Sequence, residues 1–534
     1  MKLLRVHVMS ASSCGGLLNG FELPLRRPAT AEGFEPFCLI GPNGAGKSQF
    51  LQVLAEIFQT LFQACVSAEE RGKPDSTLLF EIEYEIGVDS PPSPARVRAS
   101  RKPAEDGGVS PLRIERREDL EWIDCPLEDP ATGELLPKRV IAYTSGDNET
   151  LSAPFLVSRG AYADAVATQA LENPDEETPV PEPRLLLIDY STHLEVLAAN
   201  LLLGTARQRR KLLDFAELDD IHSFRCIVQL KPRSGPQKSV KLTNELQQAV
   251  ERLRLCATSF DYDPKRQLHT FDYLVTEETR KAFAHYWADA FELYTTFHKL
   301  GMLNDLAIPR TTRVRFQQQT GERRFATRLP EPQDEDKVFR FERVKFTKRA
   351  AGETTSVDYV ALSDGEHQQA LLLGVMGMLS YPRLLFLLDE PESHFNPQWR
   401  VKCISRILEL PTSNGARDDG GVGGATEQEC LLTTHAPFVP SDLPRERVLV
   451  FSKQGEEIVA GRPEIETYGA TFDTILNTCF DVLPPISDVA RGEIEELQAS
   501  EDQQAVRDGL DRLGPSVEKG FVADRLRKLE EEGG

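Results

Sequence analysis

The chain has 534 residues, is 40% hydrophobic and carries a net charge of −22 at pH 7. This length suffices for two or more structural units with buried cores. Because no apolar run approaches the roughly 18 residues of a membrane-spanning helix and no signal-peptide pattern opens the chain, we expect a cytoplasmic protein without a membrane partner. The charge repels nucleic acid on average, so DNA contact would require a local basic face. The nine cysteines lie singly, which is typical of reduced, structural side chains.

A strand, a glycine-rich turn and a helix follow one another near the start of the chain. Residues 2–8 alternate apolar and polar side chains like an edge strand, and residues 37–40 form a short apolar run typical of a buried strand. The sequence GPNGAGKS, residues 41–48, comes next, and apolar side chains at helical spacing predict a helix from about Lys47. The amino end of this helix would face the turn.

The turn matches the pattern G-x-x-x-x-G-K-S without a gap. Its glycines would let backbone N–H groups face phosphates, and the helix end adds a partial positive charge of roughly +0.5. Lys47 would neutralise the terminal phosphates and the Ser48 hydroxyl would bind magnesium. The predicted nucleotide-binding residues are Asn43, Gly44, Ala45, Gly46, Lys47, Ser48 and Gln49. The alternative is a glycine turn with a chance lysine.

Strand patterns continue through the first third of the chain and then stop. Residues 78–86 and 139–143 have the composition of strands, separated by the turn-rich residues 89–93. Residues 172–183 are acidic and proline-rich, so they cannot bury enough surface to order themselves firmly. We expect an exposed loop or linker there.

The middle of the chain has mostly helical spacing. Between about residues 191 and 306 the apolar side chains recur as in helices, without a sustained heptad repeat, which predicts a compact inserted arm and no long coiled coil. Residues 338–346 alternate apolar and charged side chains, so the chain returns there to a strand. A glycine-rich loop is expected at residues 411–424. Strands at residues 429–433 and 448–452 and then helical segments complete the chain.

Two adjacent carboxylates follow a fully apolar strand at residues 384–388. Asp389 could hold magnesium through Ser48 or water, and Glu390 could face the attacking water as general base. A base in this position accelerates a reaction roughly a hundred- to ten-thousand-fold. The alternative is an acidic turn after a core strand.

One other apolar strand, residues 185–188, also ends in an aspartate, Asp189. Tyr190 follows it, so a second carboxylate is missing. We interpret Asp189 as structural.

His435 stands at the end of the next predicted buried strand after the carboxylates. Its imidazole could contact a terminal phosphate and sense whether that phosphate is present. The alternative is an ordinary surface or core histidine. For His394, five residues after Asp389, two interpretations stay open, a subunit interface or the closure of a turn.

Together these motifs resemble the ABC-type ATPase superfamily, whose signature is usually Leu-Ser-Gly-Gly-Gln and here reads LSDGE at residues 362–366. The resemblance covers both ends of the chain and implies a dimer with two sandwiched ATP molecules and Mg²⁺. In that dimer Ser363, Gly365 and Glu366 would contact the nucleotide of the opposite subunit. Asp364 and Glu366 depart from the transporter pattern. Ser363 as an ordinary helix cap is the alternative.

Within the superfamily, the sequence DEPESHFNP at residues 389–397 and the large insertion are similar to the soluble DNA-associated branch. That branch includes RecF, the overcoming-lysogenization-defect enzymes and the heads of chromosome-maintenance (SMC) proteins. With residues 143–149 and 467–472, the chain looks closest to prokaryotic anti-phage ATPases, namely restriction-system-associated ATPases and the ATPase subunits of Septu-type and retron systems. After His435 no cluster of metal-binding carboxylates is apparent, so the resemblance implies a nuclease in a partner subunit.

Basic side chains recur in two places in the middle of the chain. They would bind phosphates of double-stranded DNA in a salt-dependent and sequence-independent manner. The alternative is solvated surface paired with acids, and both stay open. The residues are Arg207, Arg209, Arg210 and Lys211, and then Arg310, Arg313, Arg315, Arg323, Arg324 and Arg328.

These observations predict an α/β fold, a P-loop ABC-type ATPase head split by a largely helical insertion. The head would comprise residues 1–185 and 338–480, the inserted arm 186–337, and a helical tail 481–534. The expected function is a magnesium-dependent ATPase, a homodimer or higher even oligomer, that regulates or powers a DNA-directed anti-phage or restriction complex. The alternatives are a RecF-like repair clamp, a transport-energising subunit and a slowly hydrolysing assembly platform.

Overall fold

A computed structural model describes the chain apart from residues 27–33, 35, 72–75, 89–93, 105–106, 146–148, 175, 190–191, 232–238, 322–329, 351–352, 380, 409–427, 484–485 and 533–534. It divides into two compact units, Met1–Gly469 and Ala470–Gly534. The loops predicted at residues 89–93 and 411–424 therefore lie outside the described residues. No helix in the described ranges is long and apolar enough to cross a membrane.

All described strands belong to the larger unit. In chain order they are β1 (Lys2–Ser10), β2 (Phe21–Pro24), β3 (Phe37–Ile40), β4 (Leu79–Ile86), β5 (Ala95–Arg101), β6 (Arg113–Glu118), β7 (Glu121–Cys125), β8 (Arg139–Thr144), β9 (Leu185–Ile188), β10 (Asp220–Gln229), β11 (Ser259–Asp263), β12 (Leu268–Leu274), β13 (Phe339–Ala350), β14 (Glu353–Asp358), β15 (Leu384–Asp389), β16 (Glu429–Thr433), β17 (Val448–Gln454) and β18 (Glu457–Gly461).

The α-helices occur in both units. Those of the larger unit are α1 (Lys47–Cys65), α2 (Pro130–Gly133), α3 (Glu149–Glu172), α4 (His193–Leu203), α5 (Ala206–Leu213), α6 (Asn244–Cys256), α7 (Glu277–Tyr286), α8 (Ala290–Met302), α9 (Arg310–Gly321), α10 (Asp364–Met378), α11 (Pro397–Arg400), α12 (Cys403–Leu408) and α13 (Phe438–Ser441). Those of the smaller unit are α14 (Phe472–Phe480), α15 (Asp488–Ala499), α16 (Gln503–Arg512) and α17 (Val517–Glu532).

A central sheet joins strands from both ends of the chain. Among the described residues its order is β18-β17-β3-β16-β15-β8-β9, and every pair except β17–β18 is parallel. Strands β3, β15 and β16 are buried along their whole length, which is why each contains a run of apolar residues, 37–40, 384–388 and 430–432 respectively. Since β16 lies between β3 and β15, the segments after these three strands meet at one edge of the sheet.

A second, antiparallel sheet has the order β2-β1-β4-β5-β6-β7 in the described part of the chain. The prediction of an edge strand at residues 2–8 was wrong, because β1 pairs with β2 on one side and with β4 on the other. Alternation of apolar and polar side chains shows only that one face of a strand is exposed to solvent. It therefore does not distinguish an edge strand from an inner strand of a sheet with one exposed face. Helix α1 is buried on nearly all sides in an apolar core that also includes residues of this sheet and of the central sheet.

The middle segment contributes strands as well as helices. In the described ranges a third, antiparallel sheet has the order β11-β12-β10-β13-β14. Helices α4 to α8 agree with the helical spacing predicted between about residues 191 and 306, but the prediction omitted β10, β11 and β12. These strands are partly exposed and short or irregular in pattern, so their local signal is weak. The predicted strand at residues 338–346 is confirmed as part of β13, which pairs with β10.

The smaller unit consists of α14, α15, α16 and α17 in the residues described. Its buried apolar centre is formed by Ile494, Leu497, Val506 and Val522. The unit begins at Ala470, eleven residues before the tail that the sequence predicted from residue 481, because helix α14 belongs to it.

Candidate functional site

The glycine-rich turn after β3 requires glycine at the place where it leaves the sheet. Gly41 has a φ of +132°, and a Cβ at this position would lie 2.1 Å from the main-chain oxygen of Phe451 on the neighbouring strand. Gly44 and Gly46 have φ values of +77° and +88°, which side chains rarely tolerate. Gly46 precedes α1 directly. The shape of the turn therefore requires glycine at these positions, and the backbone of the turn lies at the amino end of α1.

Lys47 is the first residue of α1 and folds back over the turn. Its Nζ donates hydrogen bonds to the main-chain oxygens of Gly41, at 2.9 Å, and Pro42, at 3.0 Å. Burial lowers the pKa of Lys47 to about 8, against the opposing effect of the negative charges on Glu390 and Asp389. A partly desolvated ammonium at this position favours an arriving anion.

Ser48 and Asp389 come together although 341 positions separate them. The Ser48 hydroxyl donates a 2.7 Å hydrogen bond to Oδ1 of Asp389, the last residue of β15. The same carboxylate oxygen accepts a 2.7 Å hydrogen bond from the hydroxyl of Thr433 on β16. The sheet order thus brings the turn and the predicted carboxylates into direct contact.

Glu390 and His435 also meet. His435 Nε2 lies 3.0 Å from Glu390 Oε1, and each side chain is about a third exposed. The hydrogen bond from His435 is the largest cause that lowers the pKa of Glu390, and the positive charge of Lys47 contributes in the same direction. Glu390 has a φ of +46°, an unusual backbone state for a side chain with a Cβ. The Glu390 carboxylate therefore projects from a strained turn at the sheet edge.

Three polar residues of this edge were missed in the sequence. Thr433 contacts Asp389, and its neighbour Thr434 donates a hydrogen bond to Oε1 of the buried Glu392. Burial raises the pKa of Glu392 to about 7. The sequence signal for the two threonines was their position, one after the other, directly after the apolar residues 430–432. A threonine hydroxyl that is buried there must find a hydrogen-bond partner.

The signature segment begins helix α10, and Ser363 caps it. Ser363 accepts the N–H of Glu366, while the Glu366 carboxylate accepts the main-chain N–H of Ser363 at 2.7 Å. This reciprocal capping box corresponds to the alternative interpretation of Ser363. Ser363 remains exposed, so capping and contact with a ligand outside the chain are compatible. Within the described residues, Ser363 and Glu366 bond with each other and are not brought to Ser48 or Asp389.

Gly365 and His394 are linked through the backbone. A Cβ on Gly365 would lie 2.7 Å from the main-chain oxygen of His394. The segment after the carboxylates therefore packs closely on the start of α10. The side chain of His394 is exposed, and both interpretations of this residue, a subunit interface and the closure of a turn, stay open.

Gln368, in the first turns of α10, contacts the end of β8. Its Nε2 donates to the main-chain oxygen of Ser145, and its Oε1 accepts a 3.4 Å hydrogen bond from the Tyr143 hydroxyl. Strand β8 pairs directly with β15, which carries Asp389. Residues 146–148, shortly after β8, lie outside the described residues. Gln368 therefore links α10, the helix that begins with the signature, to the central sheet that carries Asp389. The sequence did not indicate this contact.

Asp189 follows β9 at the edge of the central sheet, and β8 separates β9 from β15. Its main-chain N–H and C=O both bond the hydroxyl of Thr192. This turn before α4 agrees with a structural role.

The predicted basic clusters are only partly available to a phosphate. Arg313 was included wrongly, because its side chain is buried, bonds the main-chain oxygen of Ile308 and forms an ion pair with Asp164. Arg209 donates a 2.7 Å hydrogen bond to the main-chain oxygen of Gly204. Four arginines are exposed, and three others lie outside the described residues. The exposed ones are Arg207, Arg210, Arg310 and Arg315, and those outside are Arg323, Arg324 and Arg328.

Comparison with known proteins found no matching family model and no matching curated protein. Among solved structures, the chain is similar to the SMC head domain from Thermotoga maritima, with 10% sequence identity and a TM-score of 0.32. That likeness covers 87% of this chain and 100% of the head domain. Because these values are low, the function proposed next rests on the contacts made by Ser48, Asp389 and Glu390.

Proposed function

We propose that the chain is a magnesium-dependent ATPase of the ABC type. The observation that carries the proposal is the 2.7 Å hydrogen bond between Ser48 Oγ and Asp389 Oδ1. It joins a G-x-x-x-x-G-K-S turn at the amino end of a helix to a carboxylate pair at the end of a buried parallel strand. Phosphate binding, metal binding and water activation require these groups at the same sheet edge.

The turn would bind the phosphates of ATP. Residues 43–49 lie at the amino end of α1, where the helix dipole favours negative charge and backbone N–H groups would bind phosphate oxygens. Lys47 Nζ, now bonded to Gly41 and Pro42, would transfer its hydrogen bonds to phosphate oxygens. The polyphosphate charge would also raise the Lys47 pKa from about 8 and keep the ammonium ionised.

Ser48 and Asp389 fit a magnesium ion, because Mg²⁺ prefers a hydroxyl and a carboxylate oxygen together with phosphate oxygens and water. The bound ion would neutralise charge that develops on the phosphates during transfer. The described residues contain no group of three or more His, Cys, Asp or Glu side chains placed to hold a metal ion. The proposed metal site therefore depends on the nucleotide for part of its ligands.

Glu390 would act as general base. As water attacks the terminal phosphorus, the carboxylate accepts one proton from that water, and the bond from phosphorus to the bridging oxygen of ADP breaks. The lowered pKa keeps Glu390 ionised before the reaction. His435, 3.0 Å away, would contact the terminal phosphate and orient the base.

The exposed start of α10 supports a dimer. Ser363, Gly365 and Glu366 would contact the nucleotide of a second subunit through the positive end of that helix, in a homodimer or a higher even oligomer. This role follows the resemblance to ABC-type ATPases. Mixing two variants provides a direct test, because a Lys47→Ala subunit and a Ser363→Asp subunit would restore one composite site between them.

For the biological setting we propose control of a DNA-directed anti-phage or restriction complex, with the nuclease in a partner subunit. The support is the sequence resemblance of residues 389–397 and the exposed arginines Arg207, Arg210, Arg310 and Arg315. A RecF-like clamp without a nuclease is the alternative. Capture of Glu390→Gln protein from its native host with ATP present distinguishes them, since a nuclease partner favours the first and repair proteins or DNA alone favour the second.

The enzymatic proposal is tested with purified protein. Wild-type protein is expected to hydrolyse ATP in the presence of magnesium, and hydrolysis should stop when EDTA removes the ion. Lys47→Ala is expected to lose ATP binding, measured by calorimetry, and hydrolysis together. Wild-type binding and hydrolysis in Lys47→Ala would contradict the proposal at its base.

A further inference from the structure

A single hydroxyl connects the two carboxylate-bearing residues at the end of β15. Thr433 Oγ1 donates a 2.7 Å hydrogen bond to Oδ1 of Asp389 and accepts a 3.0 Å hydrogen bond from the main-chain N–H of Glu390. Thr433 is the last residue of β16 and stands directly opposite Asp389 in the parallel pair. It is completely buried, so water does not compete for these bonds.

The bond to the Glu390 N–H occurs at a strained position. Glu390 has a φ of +46°, in the left-handed region where a residue with a Cβ is rarely stable. Such a conformation persists only when the surrounding structure holds it. Thr433 fixes both sides of the peptide between Asp389 and Glu390, through the carboxylate of one residue and the N–H of the other. The direction of the Glu390 side chain toward His435 follows from that fixed peptide.

The other neighbour of Asp389 provides a comparison within the same sheet. Strand β8 pairs with β15 on the side away from β16, and its last residue, Thr144, stands opposite Asp389. Thr144 is also buried. In the described structure its hydroxyl makes no hydrogen bond. Thr144 and Thr433 thus share residue type, position opposite Asp389 and burial. They differ in that only the Thr433 hydroxyl forms hydrogen bonds with Asp389 and Glu390.

We propose that Thr433 is a positioning residue for ATP hydrolysis, which holds Asp389 toward Ser48 and Glu390 toward the attacking water. This inference rests on the proposed ATPase function. Thr433 itself would not contact ATP or exchange a proton with it. Because displacement of a reacting group by about 1 Å can reduce a rate roughly a hundredfold, the loss of this hydroxyl should act on the chemical step and spare nucleotide binding.

The test compares Thr433→Val, Thr433→Ser and Thr144→Val in the full chain. For each variant kcat, KM for magnesium ATP, and Tm are measured. Thr433→Val is expected to lower kcat about ten- to a hundredfold with KM within about threefold of wild type. Thr433→Ser restores the hydroxyl and is expected to keep kcat within about threefold. Thr144→Val is expected to match wild type.

Three results would overturn the inference. They are a wild-type kcat in Thr433→Val, an equal loss in Thr144→Val, or a loss in Thr433→Ser as large as in Thr433→Val. If Thr433→Val does not fold, Thr433→Ala removes the same hydroxyl with a smaller side chain, and rescue by serine remains the decisive comparison. A wild-type chain that neither binds nor hydrolyses ATP would instead refute the proposed function on which the inference rests.

Discussion

The imidazole Nε2 of His435 lies 3.0 Å from Oε1 of Glu390, and this hydrogen bond is the largest cause that lowers the pKa of the carboxyl. The two residues follow different strands, β15 and β16, and are 45 positions apart in the chain. Their side chains are exposed by 36% and 37%, so a ligand at the sheet edge can reach both. The two side chains are therefore held together by contacts within the chain itself.

Replacement of Glu390 by glutamine should separate binding from hydrolysis. Glu390→Gln keeps the shape of the side chain and its contact with His435 but cannot accept a proton, so kcat should fall roughly a hundred- to ten-thousand-fold. ATP affinity should stay within about threefold of wild type, because Lys47 and Ser48 are unchanged. Phosphate release and calorimetry measure the two quantities. An unchanged kcat would show that another group activates water.

The requirement for glycine in the turn can be tested with two matched substitutions. Gly41→Ala should lower the free energy of unfolding by more than about 3 kcal/mol, because it combines an unfavourable φ with a Cβ 2.1 Å from the Phe451 oxygen. Gly44→Ala has an unfavourable φ but meets no atom within 4 Å, so its cost should be about 1–2 kcal/mol. Urea denaturation without nucleotide measures both. Equal losses would contradict the close approach at Gly41.

Capping and ligand contact can be separated at Ser363. Aspartate caps helices as well as serine, but here it would stand beside the Glu366 carboxylate, to which the Ser363 hydroxyl donates a 2.8 Å hydrogen bond. Ser363→Asp should therefore lower the free energy of unfolding by about 0.5–1 kcal/mol, a loss no larger than the roughly 1 kcal/mol expected for Ser363→Ala. If Ser363 faces the terminal phosphate of a second subunit, the added negative charge should lower kcat at least about tenfold.

Thr471 offers the control for that experiment, since it caps α14 in the smaller unit through the N–H of Thr474. Thr471→Asp makes the same kind of change at a cap outside the candidate site and should leave kcat unchanged. A wild-type rate in Ser363→Asp would show that Ser363 serves only as a cap.

Glu70 should make stability depend on pH. The residue is buried beside Ser158, and burial raises its pKa from 4.5 to about 7. Between these values the folded chain retains a proton that the unfolded chain releases, so stability is complete below pH 4.5 and falls as the pH rises toward 7. The loss should be about 3 kcal/mol, and Glu70→Gln should remove this contribution.

The neighbouring Glu69 is the control, because its carboxylate is partly exposed and pairs with Arg184. Urea denaturation at several pH values should show a smaller pH dependence in Glu70→Gln than in wild type or Glu69→Gln. Identical curves for Glu70→Gln and wild type would mean that Glu70 titrates normally in the folded chain.

Local sequence patterns were sufficient to predict the strands and the helix that carry the candidate site. Residues 37–40, 384–388 and 430–432 are apolar, as expected for parallel strands that are covered on both faces, and all three predicted strands are confirmed. The helix from Lys47 is confirmed for the same local reason, an apolar spacing that continues for several turns. The functional roles given to Lys47 and Glu390 remain predictions.

The tertiary structure decided what depends on long-range order. The weak alternating pattern of β10, β11 and β12 did not reveal them as strands. They belong to a sheet in which β10 pairs with β13, a strand from another part of the chain. Burial of Arg313 beside Asp164 could not be read from a list of charges.

The same distinction applies to the site. By itself the sequence determined which turn, strand and carboxylates carry polar chemistry, because glycine, apolar runs and adjacent acids have local physical requirements. Only the sheet order placed β16 between β3 and β15, and with it Thr433 against Asp389 and His435 against Glu390. Strand order is set by packing among distant segments, and no local pattern contains that information.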